Sequence, residues 1–118
     1  PESDLDRLGR LPEGPEKICL EKRTPLNLLE LLAKKGCNQV LWECGGSLSA
    51  AAINQNCVQE IFCFLSPKLL GGIPAMNPIS NLGFDSVTQA ICVKEGSYSK
   101  IGHDLVLNML LPINGFSD

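Results

Sequence analysis

The stretch Leu41-Trp42-Glu43-Cys44-Gly45-Gly46-Ser47-Leu48 constrains this chain more than any other. Val40-Leu41-Trp42 reads as a buried strand that continues through the acid Glu43 to two glycines, after which a helix begins near Ser47. Glycines at such a junction let the backbone turn sharply and come close to a ligand. The unpaired N–H groups of the following helix start attract an anion such as phosphate. On physics alone the same residues also suit a tight turn with no ligand, and both readings stand at this point.

The flanking sequence supplies the elements around that junction. Thr24 is a good N-cap and Pro25 suits the first helical position, with Leu28, Leu29, Leu32 and Ala33 forming one apolar stripe. Glu30 and Lys34 form a favourable four-residue pair, and Gly36 supplies the stop. A second helix is predicted from about Ser47 to Asn54, with Leu48, Ala51 and Ala52 on one side. Lys17-Ile18-Cys19-Leu20 is a candidate short strand, and residues 58–65, which become continuously apolar, read as a strand covered on both faces. The prolines and glycines of residues 67–83 make a long loop. Residues 87–93 and 104–111 are two more strand candidates, joined through a polar turn over 94–100 into a terminal antiparallel hairpin. The order predicts an α/β fold with a mixed sheet flanked by helices. Residues 1–16 read as an irregular leading segment and residues 17–118 as the folded portion.

Composition excludes several function classes. Thirteen acidic against ten basic side chains give a net charge of −3, with no basic cluster to meet nucleic acid. No stretch approaches the roughly 18 uninterrupted apolar residues of a membrane helix, so no membrane partner is expected. The six cysteines include no CxxC pair, and His103 is the one histidine. Reduced thiols in a cytoplasm-like compartment are therefore expected, without a metal.

The Glu-x-Gly-Gly motif, the small-residue helix after it, and Val58-Gln59-Glu60 leading to Ser66-Pro67-Lys68-Leu69-Leu70-Gly71-Gly72 resemble the riboflavin-biosynthesis reductase family. This is the dihydrofolate-reductase-like C-terminal domain of the bifunctional deaminase-reductase. Gly102-His103-Asp104-Leu105-Val106-Leu107 is similar to its closing strand, so the resemblance covers about residues 24–111. Trp42 and Cys44 depart from the commoner pattern, an aliphatic residue before the acid and a glycine after it.

The resemblance implies NADPH-dependent reduction of 5-amino-6-ribosylaminouracil 5'-phosphate to the ribitylamino product, in a plastid if the source is a plant. It assigns Gly45, Gly46, Ser47 and Leu48 to the cofactor phosphates and Glu43 to the pyrimidine's hydrogen-bond donors. Glu43 reads otherwise as a strand-end carboxylate bonded to nearby backbone. No catalytic proton donor is identified. Cys44 reads as a buried thiol, Pro67-Lys68 and Gly71-Gly72 as a structural turn, and His103 as a strand-start residue. The front half of the family's domain is expected to be missing, so a part of the domain ending in an antiparallel hairpin is predicted. Its alternative functions are a non-catalytic remnant used in binding or assembly, and a generic α/β regulatory module. A homodimer through an apolar face or edge of the C-terminal strands is the expected assembly.

Overall fold

A computed structural model describes residue 14 and residues 16–72 and 77–112. The element order is helix α1 (Pro25–Lys34), helix α2 (Gly46–Asn54), strand β1 (Glu60–Leu65), a single 3₁₀ turn (Val87–Gln89), then strands β2 (Glu95–Ile101) and β3 (Asp104–Leu110). Most of the expected leading segment, residues 1–13 and 15, lies outside the described residues.

Helix α1 forms where local chemistry places it. The Thr24 hydroxyl accepts from the Asn27 N–H at 3.2 Å, and Pro25 sits where a missing N–H costs nothing. At the far end Gly36 turns to φ +88°, so that its N–H meets the Ala33 carbonyl and the Cys37 N–H meets that of Leu32. This crossed pair satisfies carbonyls the helix leaves open. The half-buried stripe is Leu28, Leu29, Leu31 and Leu32, whereas Ala33 is exposed. Glu30 and Lys34 form no ion pair; Lys35 instead pairs with Glu16.

Helix α2 starts one residue before the expected Ser47 and ends in the same crossed pattern. Asn56 takes φ +55° there, with Asn56 N–H on Ile53 and Cys57 N–H on Ala52. Its inward side is Ala50, Ala52 and Ile53, all buried, while Leu48 stays outside. These small residues let α1 and α2 pack together, and the Gln55 carboxamide oxygen accepts from the Leu26 N–H at 3.1 Å.

The three strands form an antiparallel sheet in the order β1-β3-β2. Cys63 lies opposite Leu107, and Leu107 in turn opposite Tyr98. The α/β class and the terminal hairpin are as predicted, but the hairpin is built from different residues. The expected turn over 94–100 is strand β2, and the reversal falls at Gly102-His103, where Gly102 has φ +61°. A glycine at the first central position of a two-residue loop matches the twist of the flanking strands. The expected strand over 87–93 is not formed and begins instead with the 3₁₀ turn: Ser86 and Gln89 cap one another, with the Gln89 side-chain carboxamide oxygen accepting from the Asp85 and Ser86 N–H groups. Side-chain bonds of this kind hold the backbone away from a ladder.

Two further corrections concern buried strands. Neither residues 17–20 nor residues 40–43 join a ladder among the described residues, and Leu41 is 83% exposed. The parallel members of the expected mixed sheet are therefore not formed, because these runs have no strand beside them. Strand β1 is not covered on both faces either: Ile61 and Cys63 are half-buried, while Phe62 and Phe64 are 55% and 63% exposed. Strand β3 is the central strand, so both its edges are paired and only its faces remain for an assembly contact.

Candidate functional site at the glycine turn

The segment entering the turn is held by its one aromatic residue. The Trp42 indole N–H donates to the Cys57 carbonyl at 3.1 Å, which ties residues 40–44 to the far end of α2. Exposure along residues 39–44 alternates with a period of two, the signature of extended backbone. Glu43 falls on the exposed side of that alternation, and its carboxylate makes no hydrogen bond or ion pair among the described residues. The backbone-bonded reading of Glu43 finds no partner here.

Gly45 is the N-cap of α2 (φ −77°, ψ 168°) and provides no side-chain cap. The first bond of the helix runs from the Ser49 N–H to the Gly45 carbonyl at 3.1 Å. The N–H groups of Gly46, Ser47 and Leu48 consequently have no backbone acceptor among the described residues. Ser47 and Leu48 are exposed and Gly46 is half-buried, so the donors of Ser47 and Leu48 lie on exposed residues. The Ser49 hydroxyl sits behind them, 3.4 Å from the Cys44 sulfur and 3.2 Å from the Gly45 carbonyl oxygen to which it donates. Cys44 has no imidazole or carboxylate partner and remains a half-buried thiol.

The two glycines differ in what surrounds them. A Cβ on Gly45 would meet nothing within 4 Å. On Gly46 it would lie 2.5 Å from the Asn77 carbonyl oxygen and 2.9 Å from the Ser80 hydroxyl, and the Ser80 N–H donates to the Gly46 carbonyl at 3.0 Å. Residues 77–80 thus occupy the close approach that the sequence reading gave to a ligand at Gly46. Gly45 keeps an open approach.

Other singled-out residues are dispersed. His103 sits exposed in the β2–β3 turn. Lys68 lies in a wholly exposed loop, where its N–H bonds the Ser66 carbonyl, and Gly71 and Gly72 take positive φ as a structural turn requires. A cleft of about 790 Å³ runs beside residues 39–42 and is reached by Cys44 and Ser49 on either side of the glycine turn, while Glu43 and residues 45–48 do not line it. Trp42 stood out in the sequence only as a departure from the family pattern, and Ser49 and residues 77–80 did not stand out at all. The lone indole next to the acid was the available signal for the first of them.

A small antiparallel sheet and two packed helices form an α/β unit consistent with part of a dihydrofolate-reductase-like domain. Residues 3–107 match the RibD C-terminal domain family, and the chain belongs to that family. It is 45% identical over 89 residues to the riboflavin biosynthesis protein RibD of Synechocystis, covering 75% of this chain and 24% of that protein. It is 34% identical over 102 residues to the chloroplastic riboflavin biosynthesis protein PYRR of Arabidopsis thaliana, covering 86% of this chain and 17% of that protein. Against RibD of Actinobacillus pleuropneumoniae it is 33% identical over 97 residues, covering 80% and 26%. The chain therefore spans about a quarter or less of the length of these relatives. Among the described residues no helix is long and apolar enough to cross a membrane.

Proposed function

We propose that this chain supplies part of a reductase of riboflavin biosynthesis that uses NADPH to reduce 5-amino-6-ribosylaminouracil 5'-phosphate to its ribitylamino product. The observation that supports it is the exposed start of α2: three main-chain donors without acceptors follow directly on an exposed, unpaired carboxylate. Phosphate oxygens of the cofactor would accept from the N–H groups of Gly46, Ser47 and Leu48, helped by the positive end of the helix dipole. NADPH supplies the hydride for the opened sugar carbon. Glu43 would accept hydrogen bonds from the pyrimidine and orient it. That Glu43 and residues 45–48 do not themselves line the cleft favours a second reading, in which the chain alone is a non-catalytic piece used in binding or assembly. A homodimer in a cytoplasmic or plastid compartment completes the proposal.

Ser47→Asp in the complete reductase provides the test. A carboxylate in the first turn of a helix stabilises it by about 0.3–1 kcal/mol, yet repels a phosphate at the same place. Thermal stability should hold or rise while NADPH affinity, followed through Trp42 fluorescence, falls at least tenfold. Unchanged affinity would remove the phosphate assignment, and a complete protein that neither binds NADPH nor turns over substrate would favour the non-catalytic reading.

A further inference from the structure

Glu43 stands between two side chains that hold the backbone on either side of it. Residues 38–44 make no backbone hydrogen bond among the described residues, so the position of this segment rests on its side chains. Trp42 and Cys44 fall on the half-buried side of the alternation and Glu43 on the exposed side. The Trp42 indole N–H reaches the Cys57 carbonyl at 3.1 Å. That acceptor is itself fixed, because Cys57 is 3% exposed and its N–H bonds the Ala52 carbonyl at 2.8 Å. On the other side the Ser49 hydroxyl donates its one proton to the Gly45 carbonyl at 3.2 Å. Its oxygen is left to accept from the Cys44 thiol at 3.4 Å.

The two anchors lie toward opposite ends of α2: Cys57 follows its last turn, and Ser49 sits near its start. Positions 42 and 44 are about 6.6 Å apart along an extended chain. Both are tied to one helix, so the residue between them has little freedom to twist and its side chain keeps one direction. A carboxylate that accepts hydrogen bonds from a flat heterocycle needs such a direction, because these bonds weaken steeply off line. Glu43 has no bond of its own among the described residues to supply it.

We infer that Trp42 is a positioning residue for Glu43: through the Cys57 carbonyl it aims the carboxylate at the pyrimidine. This rests on the reductase reading, in which Glu43 meets the substrate and Gly46, Ser47 and Leu48 meet the cofactor. The two contacts separate here, because the cofactor donors belong to α2 itself and stay in place when the Trp42 bond is lost.

A double-mutant cycle between positions 42 and 43 in the complete reductase tests it. Trp42→Phe keeps an aromatic ring and removes the N–H. It should raise the KM for the pyrimidine phosphate by about fivefold, the worth of one hydrogen bond. Its kcat and its NADPH affinity, measured by calorimetry, should stay within about twofold of wild type. In a Glu43→Ala background the same change should move KM by less than about twofold, because the side chain that Trp42 aims is gone. A Trp42 that only stabilised the fold would give the same factor in both backgrounds. If Trp42→Phe fails to fold, 3-benzothienylalanine at position 42 makes the same cycle, with both fused rings kept and sulfur in place of the N–H. An unchanged KM, equal factors in both backgrounds, or an NADPH affinity that falls as far as that for the pyrimidine would overturn the inference and leave the reductase reading standing. A wild-type reductase that binds NADPH but neither binds nor reduces the pyrimidine phosphate would overturn both.

Discussion

Gly45 and Gly46 are adjacent and identical in type, yet the surroundings give them different work. Gly46→Ala drives a methyl group into the main chain of residues 77–80. A forced overlap of this kind costs about 1–3 kcal/mol, so thermal unfolding of this variant should shift clearly downward. Gly45→Ala meets no atom and keeps a negative φ. It should cost less than about 1 kcal/mol, the ordinary difference between N-cap residues. In the complete reductase Gly45→Ala is the cleaner probe of phosphate approach, because a loss of NADPH affinity there has no folding defect to explain it. Equal melting temperatures for the two variants would contradict the assignment of Gly46 to packing.

Cys57 carries the other residue-scale prediction. Burial to 3% exposure lifts its thiol pKa above the ordinary value of 9.0, because the thiolate loses its hydration. The unfolded thiol ionises first, so stability from this group is complete below that value and is lost as pH rises beyond it toward the folded pKa. Two readouts follow: iodoacetamide at pH 8 should label Cys57 far more slowly than the exposed Cys37 and Cys92, and Cys57→Ala should flatten the alkaline fall in stability. Equal labelling rates would contradict the burial.

At the scale of elements, what was legible in sequence is what is decided within a few residues. The Thr24-Pro25 start and the Gly36 stop of α1 were readable because a cap and a left-handed glycine act locally. Strand β2 was missed because every residue of it is exposed and its pattern is polar, so no hydrophobic alternation marked it. The usable signals were the Gly102-His103 dipeptide and the Ser86-to-Gln89 capping spacing, both of which outrank the apolar run over 87–93. Gly102→Ala tests this reading: a β-carbon at φ +61° should cost about 1–2 kcal/mol and raise amide exchange along β2 and β3. A hairpin left fully protected would place the reversal elsewhere.

On the scale of the whole molecule, the chain exposes 10224 Å², whereas a compact protein of 12.7 kDa exposes about 6,200 Å². Among the described residues the buried apolar side chains are Pro25, Ala50, Ala52, Ile53, Cys57 and Val106, and neither helix packs closely on the sheet. Phe62, Phe64 and Ile101 share one sheet face and are each more than half exposed. That face, rather than an edge of β3, is where a twofold dimer would close. Sedimentation at micromolar concentration should show the dimer, and Phe64→Asp should shift it to monomer; a wild-type monomer throughout that range would refute it.

Sequence alone determined the Thr24-Pro25 start and Gly36 stop of α1, the apolar runs and the order of extended segment, acid, glycine pair and helix around Glu43, since each depends on neighbours in the chain. Tertiary structure alone decided that Gly46 answers to residues 77–80, that Trp42 holds the approach to the turn, and that β3 lies inside the sheet while β1 has a free edge. Those outcomes depend on which distant segment arrives alongside, and a run of residues carries its own pattern of apolar groups and donors without naming the segment that will cover them.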